Sequence, residues 1–170
     1  MRHLFFACSY NTPVKFHLRD FRAEDFDTLW KIDQLCFAPG IAYSRMELKF
    51  YMKRRGSFTL IAEGADAPPV AGFIVAEVSR KNIGHIITID VLPEARRFRV
   101  GSQLLEAAEE RLLVAGCRGV VLETAVDNTA ALSFYKRHAY FVVKTAPNYY
   151  SNGIDAFVLQ KDLLRLKPKA

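Results

Sequence analysis

No apolar run in the 170 residues approaches the roughly 20 that a membrane-spanning helix needs, so no membrane partner is expected. Cysteine is scarce. Cys8, Cys36 and Cys117 are odd in number and widely spaced, which gives neither a disulfide framework nor the paired spacing of a zinc site. No metal is expected, and a reducing, cytoplasmic setting is. Cys36 and Cys117 stand among apolar or small residues and read as small buried hydrophobes, not nucleophiles. Internal repeats, low-complexity tracts and a composition break that would mark a second domain are also missing. The opening MRHLFFACSYNTP holds an apolar patch, LFFAC, that is short for a secretory signal and runs on into polar residues. Residues 1–12 are read as a leader, 13–163 as one domain and 164–170 as a basic tail.

What is present is an ordinary globular composition, half apolar and a quarter charged. The formal charge of +6 suits an anionic partner. Lysine and arginine are nevertheless spread along the chain, apart from Arg96, Arg97 and Arg99 and a tail with Arg165, Lys167 and Lys169. This balance permits nucleic-acid association without requiring it, and nucleic acid is not expected as a substrate.

Hydrophobic period predicts the order β α α β β β α β α β β. Val14 to Leu18 alternates as a strand, and Ala23 to Phe37 repeats apolar residues at helical spacing. Pro39 and Gly40 break that helix before Ser44 caps another, with Glu47 three residues on. Phe58 to Ala62, Val70 to Val78 and Gly84 to Val91 read as an antiparallel meander. From Val100 the stripe Leu104, Leu105, Ala108 and Leu112 marks an amphipathic helix ended near Gly116. Gly119 to Glu123 then supplies a strand that pairs parallel to Gly84 to Val91 through a right-handed crossover. Asn128 caps a short helix carrying Ala131, Leu132 and Tyr135, and the strands Tyr140 to Val143 and Ala156 to Leu159 form a terminal hairpin about the NYYSNG turn.

Two stretches carry chemistry. LPEARRFRVGS lies between a strand end and a helix start, where free backbone N–H groups and the helix dipole favour a phosphate. On charge alone the three arginines fit a solvated turn equally well. Their position at the carboxyl end of a strand is where α/β proteins hold ligands. The second stretch, Asn128 to Asp155, is richer in polar and aromatic residues than a fold requires.

The order of elements, PEARRFRVGSQLL and NTAALSFYKRHAYF together resemble the GNAT superfamily of acetyl-coenzyme-A-dependent N-acetyltransferases, over about Val14 to Asp162. The resemblance implies an α/β fold with a mixed central sheet splayed between two parallel strands and flanked by about four helices. In the family's diphosphate loop Arg96 stands first, Arg99 replaces one glycine and Gly101 matches the other. Ala139 replaces a second family glycine, in the turn after the last helix. NYYSNGIDAFVLQKDL, the Cys36-Phe37 pair and VLE before DNTAALSFY are similar to the RimI-type N-acetyltransferases of ribosomal-protein alanine. The Pro and Trp that commonly follow Cys-Phe in that group are replaced by Ala38 to Tyr43, with no tryptophan.

The resemblance further implies acetyl-CoA as cosubstrate, no metal, and direct transfer of acetyl to an amine. Glu123 would be the proton acceptor, its plainer reading being an exposed strand-end glutamate. Tyr135 would be the proton donor to the departing thiolate, its plainer reading being a core tyrosine. Ile89, Asp90 and Val91 would bind the pantetheine arm through their backbone, with Asp90 unusual at an apolar position. Arg96, Arg97, Phe98, Arg99, Val100, Gly101 and Ser102 would form the diphosphate loop, and Asn128 and Tyr135 would complete the coenzyme site. Phe37, Tyr43, Tyr149 and Tyr150 would face the acceptor, or simply pack as aromatics. His85 is left outside the catalytic set, because a lone histidine on a strand is more often structural. The acceptor implied is a protein N-terminus, with a ribosomal protein as a possible partner. A small amine, an aminoglycoside or a lysine stays open, as do a non-catalytic coenzyme-binding regulatory module and an RNA-binding protein.

Overall fold

A computed structural model describes residues 16–64, 69–79 and 81–164. The leader expected at 1–12 and the tail from Arg165 lie outside the described residues, as do Val14 and Lys15 of the first predicted strand. Strand β1 (Phe16–Asp20) is followed by helices α1 (Phe26–Cys36) and α2 (Arg45–Lys53). Strands β2 (Ser57–Gly64), β3 (Val70–Val78) and β4 (Ile83–Val91) form the meander. Helix α3 (Val100–Val114), strand β5 (Gly119–Ala125), helix α4 (Thr129–Arg137) and strands β6 (Phe141–Ala146) and β7 (Ala156–Asp162) follow among the described residues. Among the described residues no helix is long and apolar enough to cross a membrane.

Two short 3-10 helices depart from the expected elements. Ala23–Asp25 precedes α1 instead of continuing it. The Asp25 carboxylate folds back to accept the Arg22 N–H at 2.8 Å while Arg19 donates to both its oxygens, which fixes a tight turn there. Pro93–Phe98 turns the expected strand-to-helix loop into a second 3-10 segment, with Pro93 at its first position. It ends at Arg99, whose φ of 60° is left-handed. Ser44 caps α2 by accepting the Glu47 N–H while the Glu47 carboxylate accepts the Ser44 N–H, a reciprocal capping box.

The seven strands form one sheet in the order β1-β2-β3-β4-β5-β7-β6. Only β4 and β5 run parallel, and they pair only from Ile83 beside Gly119 to Ile86 beside Leu122. Beyond that point β4 continues against β3 alone and β5 against β7 alone. Ile87 to Val91 and Glu123 to Ala125 therefore diverge, and their facing backbone groups are left without partners across the gap.

The register between β3 and β4 skips Ile87, since Ile86 lies opposite Ala76 and Thr88 opposite Val75. This bulge reverses the side-chain alternation of β4. His85, Thr88 and Asp90 consequently share one face, and Gly84, Ile86, Ile89 and Val91 share the other. Helix α3 covers the second face, where a Cβ on Gly84 would meet Leu112 at 2.5 Å. The core between α3 and the sheet is fully buried at Leu104, Leu105, Ala108 and Leu112. Strand β7 sits between β5 and β6, so β6 becomes an edge, and its residues Phe141, Val142 and Val143 are all exposed.

Candidate active site

The divergence of β4 and β5 opens a cavity of about 950 Å³. One end is basic. Arg96, Arg97, Arg99 and Ser102 line it at the start of α3, facing Asn128, Phe134 and His138 around α4. The first N–H groups of α3 have no intrahelical acceptor, and no side chain caps them, so this end is suited to an anion. Arg96 also donates from Nε to the Val91 carbonyl at 3.0 Å, tying the loop to the end of β4. Gly101 lies where a Cβ would stand 3.5 Å from the Phe134 ring, and the Ser102 hydroxyl is 3.0 Å from His138 Nε2. These contacts hold α4 alongside the start of α3. Asn128 caps α4, its Oδ1 accepting the Ala131 N–H at 3.1 Å, and also lines the cavity.

The other end is aromatic and is built from two loops. Phe37 and Tyr43 come from the α1–α2 loop, and Tyr150 comes from the β6–β7 turn. Ser151 donates to the Gly40 carbonyl at 3.1 Å, joining the loops. Gly40 has a φ of 85°, and a Cβ there would meet Asn152 at 2.8 Å, so a side chain would force them apart. The buried Asp33 carboxylate accepts the Tyr43 N–H at 2.9 Å and the Gln34 amide at 2.9 Å. The Tyr43 hydroxyl donates to the Ile87 carbonyl at 3.3 Å, and burial pushes that phenol well up. Burial likewise lifts Tyr150 to about 12, with the Glu123 charge adding to it. Tyr149 is half-exposed, stands outside the cavity lining and packs edge-on against Tyr150 with ring centroids 5.0 Å apart.

Glu123 and Tyr135 also line the cavity. The Tyr135 ring is buried, and burial holds its phenol well above the ordinary value. Its hydroxyl has no hydrogen-bond partner among the described residues. The Glu123 Oε2 is 2.7 Å from His85 Nε2. His85, left outside the catalytic set on the sequence, thus stands directly against Glu123, behind the cavity wall. The legible signal was strand parity, because parallel pairing sets His85 beside Val121 and Glu123 lies two residues on, on the same face. The His85 pKa is raised, since burial opposes the charged ring but the Glu123 bond and charge, then Glu77, outweigh it.

Three residues of the expected coenzyme set lie elsewhere than the cavity wall. Phe98 packs against Phe16 with centroids 6.3 Å apart, and Val100 is wholly buried in the core. Asp90 is wholly buried too, accepting the Thr88 hydroxyl at 2.5 Å, and burial, then the Asp33 charge, raises its pKa well above the carboxylate range. Ile89 and Val91 do line the cavity. Cys36 also lines it, donating to the Val91 carbonyl at 3.4 Å, and burial pushes its thiol up to about 11, which keeps it a poor nucleophile. No metal-binding group of His, Cys, Asp or Glu occurs among the described residues.

The sequence profile of the Acetyltransferase (GNAT) family matches residues 26–140. The chain belongs to this family. An uncharacterized N-acetyltransferase of Methanocaldococcus jannaschii is 32% identical over 90% of this chain and 93% of its own length. N-alpha-acetyltransferase 30 of Schizosaccharomyces pombe is 30% identical over 68% of this chain and 78% of its own. The ribosomal-protein-S18-alanine N-acetyltransferase of Escherichia coli has the same fold, with a TM-score of 0.75 at 20% identity over 88% of this chain and 94% of that one. The GNAT domain is thus an N-acetyltransferase, and its splayed strands are the family fold.

Proposed function

We propose that this N-acetyltransferase moves acetyl from acetyl-CoA to the α-amino group of a protein N-terminus. The observation that carries the reading is the Glu123–His85 contact of 2.7 Å at the divergence of β4 and β5, with the Tyr135 phenol lining the same cavity. The name of the fission-yeast relative supports the N-terminal acceptor, as does an aromatic wall built from two joined loops.

The residues present fit the coenzyme. Arg97, Arg99 and the first turn of α3 would hold the diphosphate, while the open edge of β4 between Ile87 and Val91, whose own carbonyls accept from Tyr43 and Arg96, offers its remaining backbone groups to the pantetheine arm. Acetyl-CoA supplies the thioester carbonyl when bound. Glu123 takes a proton from the acceptor ammonium, directly or through one water, which frees the nitrogen lone pair for attack. A backbone N–H on the open edge of β4 steadies the oxyanion as the new C–N bond forms. Tyr135 gives its hydroxyl proton to the sulfur as the C–S bond breaks and regains one as the new amide nitrogen sheds its second proton; burial keeps that phenol protonated until then.

Turnover should be scanned over peptides with varied first residues, an alanine-initiated ribosomal sequence included, against small amines and a blocked lysine, reading free thiol. Peptide α-amines are expected to be preferred. Acetylation confined to lysine or small amines would overturn the N-terminal reading, and coenzyme binding without transfer to any amine would favour a regulatory module.

A further inference from the structure

Behind Glu123 the structure holds a second carboxylate on the same histidine. Glu77 stands opposite His85 across the β3–β4 pairing, and its Oε1 lies 3.6 Å from His85 Nδ1. The side chain of Glu77 is only 9% exposed. Its Oε1 is 3.2 Å from the Arg54 guanidinium, just past α2, and its Oε2 accepts the Ser57 hydroxyl at 3.5 Å. Glu123, on the far side of the ring, reaches the cavity, whereas His85 and Glu77 are not part of its lining. The order from substrate to surface is therefore Glu123, His85, Glu77, Arg54.

We propose that Glu77 is a positioning residue for the reaction: it holds the proton of His85 on Nδ1, so that Nε2 is the nitrogen that shares a proton with Glu123. This rests on the acetyl-transfer reading above. A carboxylate oxygen and a bare imidazole nitrogen repel each other at 2.7 Å, so the observed separation requires a proton between them. With Nδ1–H turned to Glu77, loss of the shared proton to solvent leaves the Glu123–His85 pair with one vacancy, which the acceptor ammonium fills. The ammonium N–H bond breaks, the proton is shared between Glu123 Oε2 and His85 Nε2, and the positive charge that results faces Glu77. Without Glu77 the neutral ring can carry its single proton on Nε2, donated to Glu123, and the pair then has no place for the acceptor's proton. Arg54 moderates the pull by offsetting part of the Glu77 charge.

The groups facing His85 are Glu77 from β3 with Arg54 behind it, and Glu123 from β5 with Tyr149 and Tyr150 behind it. The charge of Glu123 acts on both tyrosines. Glu77→Gln keeps the shape and removes the charge, so the pair should give up its proton more readily. The acidic limb of kcat/KM against pH is expected to move down by about one pH unit. The imidazole titration of His85, followed by NMR in the coenzyme-loaded protein and assigned by its loss in His85→Gln, should move the same way. Arg54→Gln, which removes a half-exposed cation, should move both upward. Opposite shifts in the two variants support the assignment; an unmoved limb and an unmoved His85 titration in folded protein overturn it. If Glu77→Gln fails to fold, the upward shift in Arg54→Gln decides. If no acceptor is acetylated, the titration alone still tests Glu77, and the functional reading falls separately.

Discussion

The rings of Tyr135 and Tyr140 meet edge to face, with centroids 5.5 Å apart and planes at 62°. Tyr140 is itself held by a buried network in which its hydroxyl donates to Glu109 at 2.8 Å and the Lys161 ammonium contacts the other Glu109 oxygen at 2.5 Å. The proposed proton donor thus leans on an ion pair joining α3 to β7. Removing one partner of a buried pair strands the other, at about 3 kcal/mol or more. Lys161→Met should therefore unfold at lower urea by that amount, and the double change Lys161→Met with Glu109→Gln should recover much of it. Equal stability in the wild type and Lys161→Met would show that the pair holds nothing.

Proton transfer at the site is expected to be separable from coenzyme binding. Glu123→Gln and Tyr135→Phe should each lower kcat by about 10²-fold or more, while the affinity for acetyl-CoA measured by calorimetry stays within a few-fold. Full turnover in either variant would remove that residue from the chemistry.

Ala139 takes a φ of 64°, the left-handed conformation that costs an alanine about 1 kcal/mol relative to glycine. Its N–H bonds the Lys136 carbonyl at 3.1 Å and the Tyr140 N–H reaches back to the Tyr135 carbonyl at 3.0 Å, so the turn pays this strain to close α4 beneath the site. Ala139→Gly should raise the stability by roughly that 1 kcal/mol in a chemical denaturation series. A loss of stability would mean that the Ala139 methyl packs more favourably than its backbone is strained.

Acid should stabilise the acceptor loop's anchor. Burial pushes Asp33 up to about 6, against the bonds from Tyr43 and Gln34. The folded chain therefore binds the Asp33 proton more readily than the unfolded one. The resulting stabilisation is complete below about pH 4 and is lost as pH rises through about 6, on the order of 2–3 kcal/mol in total. Asp33→Asn should flatten the stability curve over that window in urea titrations at stepped pH. An unchanged slope would assign the pH dependence to other groups.

Much of the fold was legible because the hydrophobic period changes sharply. Val70 to Val78 was read with its observed bounds, and α3 begins at Val100 as the stripe of Leu104, Leu105 and Leu112 implied. The parallel pairing of β4 with β5 followed from the crossover helix. What stayed hidden depends on contacts distant in sequence. The break before α1 is made by Arg19 reaching Asp25, and the place of β7 inside the sheet is settled only when it pairs with β5. Phe98 sits within the diphosphate motif yet turns to Phe16, since motif spacing gives position and not direction. Asp90 was placed by sequence without the bulge at Ile87 that decides where it points, and His85 was set apart without the β4–β5 pairing that brings Glu123 to it.

That single surplus residue makes β4 a strand of two parities. Upstream of it, odd-numbered positions look toward the proton-handling cluster; downstream, even-numbered ones do. Pairing Ile87 with Val75 instead of skipping it would set Thr88 opposite Ile74 and turn Thr88 and Asp90 under α3 while His85 kept its station, so the register of this strand is as constrained as any side chain on it.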